Sequence, residues 1–157
     1  MLTISSLSSG KTASLPASER WRSRLRTVTA MVDLTVAGLA VATLPFHRWR
    51  DTLGGTANSR SSEVLSAQAR CLAAHVEWAA KLLPFSTKCL PRAMALSWIL
   101  RRKRIGHDVV FAVRPAKLRH SDDQLHAWVE NASETLIGDL PGPWVETLRL
   151  GEPASRE

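Results

Sequence analysis

The sequence predicts an α+β domain in which N-terminal helices are followed by a small antiparallel sheet. Three observations predict it. Apolar residues recur at helical spacing from Ser61 to Leu83, a proline marks a helix start at Cys89-Leu90-Pro91, and beyond Gly106 the pattern changes to short β-branched runs. The chain has 157 residues, room for one domain, and its 45% apolar and 22% charged content is that of a globular protein. Collagen, coiled coil and disulfide-rich toxin are excluded.

Residues 1–18 hold six serines with Gly10 and Pro16, so a disordered segment is expected over 1–20, the domain over 21–150 and a disordered tail over 151–157. Arg20, Arg22, Arg24 and Arg26 then precede an apolar run from Val28 to Leu44. Basic residues before an apolar run suggest a signal anchor, but this one is short for a span, and Asp33 would cost about 2–3 kcal/mol at mid-bilayer. A helix over Trp21–Leu44, stopped by Pro45 and packed on the protein without membrane contact, is therefore expected. Gly54 to Ser59 reads as a loop. From Ser61 to Leu83, Leu65, Ala69, Leu72, Val76, Ala79 and Leu83 recur at steps of four and three, one stripe of a second helix that Pro84 ends. The third helix starts around Pro91, runs through Ala93, Met94, Trp98 and Ile99 to Lys103, and is expected to stop at Gly106. Val109–Val113, Leu125–Glu130 and Glu134–Ile137 are the strand candidates.

The chemistry centres on Cys89. A helix start favours a thiolate through its free N–H groups and dipole, and Arg92 and Lys88 add positive charge. A thiolate nucleophile needs an imidazole to take and return a proton. His126 lies on a candidate strand 37 residues later, and Asp139 follows the next strand. Cysteine on a helix start, histidine on one strand and aspartate beside the neighbouring strand make a triad in which the carboxylate orients the imidazole. Each residue also fits an ordinary role: a small buried hydrophobe, a packed histidine and a turn aspartate. If Asp139 is not the acid, Glu130 and Asp123 are the next candidates.

The remaining features point to no cofactor or metal. Cys71 and His75 stand at ligand spacing on one helix face, but without a second pair they read as core-facing residues. His107 and His120 read as surface residues, and Arg101-Arg102-Lys103-Arg104 as a solvated helix end. The net charge of +7 raises the possibility of an anionic partner. Six tryptophans scattered away from the basic run argue against nucleic acid, and no Gly-rich phosphate loop is present. Two cysteines are too few for a disulfide framework, which suits a reduced, cytoplasmic setting.

Four blocks taken in order then carry a resemblance: Lys88-Cys89-Leu90-Pro91-Arg92-Ala93-Met94-Ala95-Leu96, Arg101 to Gly106, Val113-Arg114-Pro115 and His126-Ala127-Trp128-Val129-Glu130. Over about residues 25–148 the chain resembles the lasso peptide biosynthesis B2 proteins of the transglutaminase-like superfamily, related in fold to papain-type cysteine proteases. The resemblance implies a transglutaminase/papain-like core, with Cys89 as nucleophile, His126 as base and Asp139 as orienting acid. It implies a leader peptidase for a ribosomally made precursor peptide, followed by an asparagine-synthetase-like macrolactam cyclase. The resemblance identifies no oxyanion donor; the Cys89 backbone N–H is the candidate that the helix start offers. Many relatives carry a fused leader-recognition domain. Residues 1–20 are too short and polar to be one, so a separately encoded leader-binding protein is expected, docking on the apolar first helix and steered by Arg22, Arg24 and Arg26. Two other readings use the same fold: a non-catalytic basic module for an anionic chain or membrane surface, and a transglutaminase-like acyl transferase or deamidase.

Overall fold

The computed structural model describes residues 17–55, 63–115, 117 and 125–151. The expected disorder of residues 1–16 and 152–157, the loop over 56–59, His120 and Asp123 lie outside them. Helix α1 spans Ala17–Thr43, α2 Phe46–Trp49, α3 Glu63–Leu82 and α4 Cys89–Arg102, with a 3-10 turn at Arg50–Thr52. Strands β1 Asp108–Val113, β2 Leu125–Asn131, β3 Glu134–Ile137 and β4 Val145–Leu150 form one antiparallel sheet in the order β3-β2-β1-β4. The expected order of helices first and sheet after is what the chain adopts. Residues 17–20, expected to be disordered, form the first turn of α1.

Helix α4 is the centre of the molecule. Pro91, Ala93 to Ser97, Ile99 and Leu100 are all buried, with α1 and α3 packed against it on one side and β1 and β2 on the other. Its neighbours add nine buried residues to the same core, six of them alanines: Ala30, Leu34 and Ala37 from α1, and Ala69, Leu72, Ala73, Val76, Ala79 and Ala80 from α3. Alanines at helical spacing let helices approach closely and fill the interior without forcing strained rotamers. Asp33 lies on the packed face of α1 and is ion-paired with Arg102 in the last turn of α4. The basic run there does more than meet solvent: Arg101 donates to the carbonyls of Asp51, at 3.0 Å, and of Gly54, at 3.3 Å.

Gly106 does not end α4, as the sequence suggests. Arg104 takes the left-handed conformation (φ 56°), Ile105 N–H bonds the Leu100 carbonyl at 3.0 Å, and Arg104 N–H bonds that of Arg101. Buried Ile105 and Leu100 supply the apolar contact that fixes such a stop, so the side chains decide it rather than the glycine. His107 is buried, not a surface residue. Its Nδ1 faces the Ile105 carbonyl at 2.9 Å and must carry the hydrogen; Nε2, 2.7 Å from Ser97 Oγ, then accepts from that hydroxyl. Ser97 Oγ in turn accepts from Gly54 N–H at 3.0 Å. At Gly54 (φ 63°) a Cβ would lie 2.0 Å from the Leu150 carbonyl, so only glycine lets the turn and β4 meet.

The sheet has two distinct faces. Ala127 and Val129 of β2, with Val109 of β1 and Ile137 of β3, join the helical core. By the two-residue alternation His126, Trp128 and Glu130 point the other way. There Glu130 pairs with Arg149, which also holds Asp108 and Glu146.

Candidate active site

Cys89 is the first residue of α4, entered from an extended Lys88 (ψ 171°). N–H groups in a first helical turn have no partner within the helix, and the Leu90 N–H is used on the Cys89 sulfur. His126 is the second residue of β2, and its side chain is hydrogen-bonded to Cys89. Its Nε2 is bonded to the Gly138 carbonyl. A carbonyl only accepts, so Nε2 carries a hydrogen and Nδ1 is the nitrogen left for the thiol.

Charge in this pair is shared in the direction that activates sulfur. Burial acts most strongly against the Cys89 thiolate, but the His126 hydrogen bond, the Ala127 N–H, the imidazole charge and the Leu90 N–H outweigh it and hold the thiol below its ordinary range. Burial likewise opposes a charged His126, while hydrogen bonds to Cys89 and the Gly138 carbonyl, with the thiolate charge, raise its affinity for a proton against the opposing Arg114. Each shift favours its charged form, thiolate on Cys89 and imidazolium on His126. Lys88 and Arg92 are not among the groups that lower the thiol, contrary to expectation. Arg92 is engaged elsewhere, donating to Thr87 Oγ1 at 2.9 Å and to Glu77 at 3.2 Å.

Cys89, His126 and Asp139 all line one cavity of about 510 Å³. Asp139 is exposed on its wall; the atom that takes the His126 Nε2–H is the peptide oxygen one residue earlier. Gly138 holds this position at φ 86°, where a Cβ would come within 2.9 Å of the Ala127 carbonyl. Glu130 is bonded to Trp128 Nε1 at 2.6 Å and to Arg149 at 2.8 Å, away from the imidazole.

Reading side chains one at a time misses three parts of this site. One is the Gly138 carbonyl, which has no side-chain signature. The others are Trp128 and Trp144, whose rings lie against His126 at 5.7 and 5.0 Å between centroids. The Arg114 guanidinium covers Trp144 at 4.6 Å. The position of Trp128, two residues after His126 on one strand, was the available signal. Cys71 is exposed near Arg26, and His75 Nδ1 lies 3.2 Å from Thr27 Oγ1, so this pair does not face the core as its spacing suggested. Among the described residues no three His, Cys, Asp or Glu side chains gather to hold a metal.

A helix-start thiol set against a strand imidazole in an α+β domain defines the cysteine-protease-like class of folds. The chain belongs to the transglutaminase-like superfamily, whose family model matches residues 30–146, from the middle of α1 to the second residue of β4. No curated protein and no solved structure matches the chain.

Proposed function

We propose that the chain is a cytoplasmic cysteine peptidase that removes the leader from a ribosomally made lasso-peptide precursor. The observation that carries the reading is the Cys89–His126 pair, with its proton shared toward the imidazole and a cavity beside it. The order of the Cys-Leu-Pro-Arg and His-Ala-Trp-Val-Glu blocks supports the substrate class.

In this reading Cys89 Sγ attacks the scissile carbonyl carbon. The oxyanion forms near the start of α4, where the Cys89 backbone N–H is a donor. The imidazolium gives its Nδ1 proton to the leaving amine, the C–N bond breaks and a thioester remains. Water, deprotonated by Nδ1, attacks the thioester and releases the acid and the thiolate. The Nε2–H stays on the Gly138 carbonyl throughout, so the ring keeps one orientation through both steps. Asp139 lines the same cavity one residue on, and it is proposed to support the imidazole from there rather than by a direct bond.

The substrate is brought by a separately encoded leader-binding protein, and the product passes to an asparagine-synthetase-like macrolactam cyclase. Holding the leader nearby raises its local concentration, worth a factor of about a hundred. Intact-mass measurement of a precursor incubated with the chain, with and without the leader-binding protein, tests the reading. Loss of the leader supports it. A gain of about 1 Da at a glutamine marks a deamidase instead, and an unchanged mass in both tubes marks a binding module. Equal cleavage rates in both tubes would remove the partner from the scheme.

A further inference from the structure

Helix α1 packs on the domain by one face only. The other presents Trp21, Leu25, Val28, Val32, Val36 and Leu39 to solvent, and Val28, Val32 and Leu39 are 56%, 57% and 60% exposed. From Val28 to Thr43 that face carries no charge: Asp33, the one ionisable residue in the interval, is turned inward onto Arg102. Nor does it offer free hydroxyls. Thr29, Thr35 and Thr43 donate to the carbonyls of Leu25, Met31 and Leu39 four residues earlier, which commits their hydroxyl hydrogens within the helix. The apolar surface continues across a groove of about 670 Å³ onto α3, where Trp78 and Leu82 are also exposed. Arg24 lines the same groove, and Arg20, Arg22 and Arg26 stand exposed beside it at the start of α1.

We propose that this face docks on an anionic phospholipid surface, with α1 lying in the plane of the interface. An uncharged apolar stripe about 24 Å long, at 1.5 Å per residue, matches a helix resting at the headgroup boundary. Trp21 and the four arginines stand where an indole and cations meet headgroups. With the threonine hydroxyl hydrogens committed within the helix, a protein partner, the leader-binding protein expected on this helix included, finds few donors to read, whereas lipid chains ask for none. A second copy fits less well, because parallel pairing stacks arginine on arginine and antiparallel pairing lays them on the apolar end. Neither neutralises them; an anionic surface does.

Co-sedimentation of the full chain with vesicles tests this, using phosphatidylcholine alone and phosphatidylcholine with about a third phosphatidylglycerol. Binding to the mixed vesicles, weakened by salt and at least about tenfold weaker to the neutral ones, is expected. A Val32→Glu/Val36→Glu variant and an Arg22→Gln/Arg24→Gln/Arg26→Gln variant should each lose at least about tenfold in affinity. All five positions are exposed, so circular dichroism should report unchanged helix content in both. No binding to the mixed vesicles overturns the proposal, as does equal binding by the variants. A concentration-dependent dimer abolished by Val32→Glu would also overturn it and assign the face to a second copy. Binding that follows the arginines but ignores Val32 and Val36 would leave a purely electrostatic contact, and the apolar face would be wrongly assigned.

Discussion

Cys89 fills little volume at the start of α4, so replacing it with alanine removes the nucleophile and leaves the packing nearly intact. Cys89→Ala is expected to show no precursor cleavage at an unchanged helix content, while Cys71→Ala cleaves at the native rate. His126→Ala should be as damaging, and the double variant no worse than either, because the pair acts as a unit. Gly138→Ala and Asp139→Asn separate the carbonyl from the carboxylate. The first strains a backbone at φ 86° and displaces the acceptor on Nε2, so a loss of at least about a hundredfold in kcat is expected. The second keeps that acceptor and should cost less; a native rate would remove Asp139 from the mechanism. Lowering the thiol and raising the imidazole both favour the thiolate–imidazolium form, so alkylation of Cys89 by iodoacetamide at neutral pH should slow in His126→Ala. Thiol and imidazole were legible in the sequence because each side chain names its own chemistry. The acceptor on Nε2 was not, because any residue has a carbonyl and only the fold chooses which one meets the ring.

Three helices and three strands could be read from the sequence: α1 from an apolar run stopped by Pro45, α3 from its periodic stripe, α4 from the proline in its first turn, and β1 to β3 from short runs between turn residues. Strand β4 could not. All its residues but Leu150 are exposed, so Val145 to Arg149 carry no alternation, and its pairing with β1 spans more than thirty residues of chain. The same argument covers the end of α4, where a left-handed arginine does what a glycine was expected to do. At this scale the Ser97–His107 contact joins α4, the turn at Gly54 and the entry to β1. Ser97→Ala leaves the Gly54 N–H and His107 Nε2 without a partner and should cost about 1–3 kcal/mol in a urea titration. Burial holds His107 below the ordinary histidine value of 6.5. The unfolded chain therefore takes up the proton first, and the stability is fully present above 6.5 and lost as the pH falls through the lower folded value. A His107→Gln variant should flatten that acid-side slope. The raised His126 has the opposite sign: its contribution is present below 6.5 and fades as the pH rises through its folded value.

Across the whole molecule, the two halves of the candidate site rest on material of very different firmness. The thiol stands at the tip of α4, whose residues from Ala93 to Leu96 are completely shielded from solvent. The carbonyl that orients the imidazole, and the indole of Trp144 beside it, belong to the stretch from Gly138 to Trp144, where every residue from Asp139 to Pro143 is exposed. Segments with few buried contacts open locally, at a cost well below that of unfolding the domain. Amide hydrogen exchange should show this as two classes, with Leu96 and Leu100 exchanging only through global unfolding and Asp139, Leu140 and Gly142 far sooner. The nucleophile thus keeps its place for the lifetime of the fold, while the part that aims its proton acceptor comes and goes. A ligand that clamps the 138–144 stretch would raise the rate, and one that pries it open would silence a thiol it never touches.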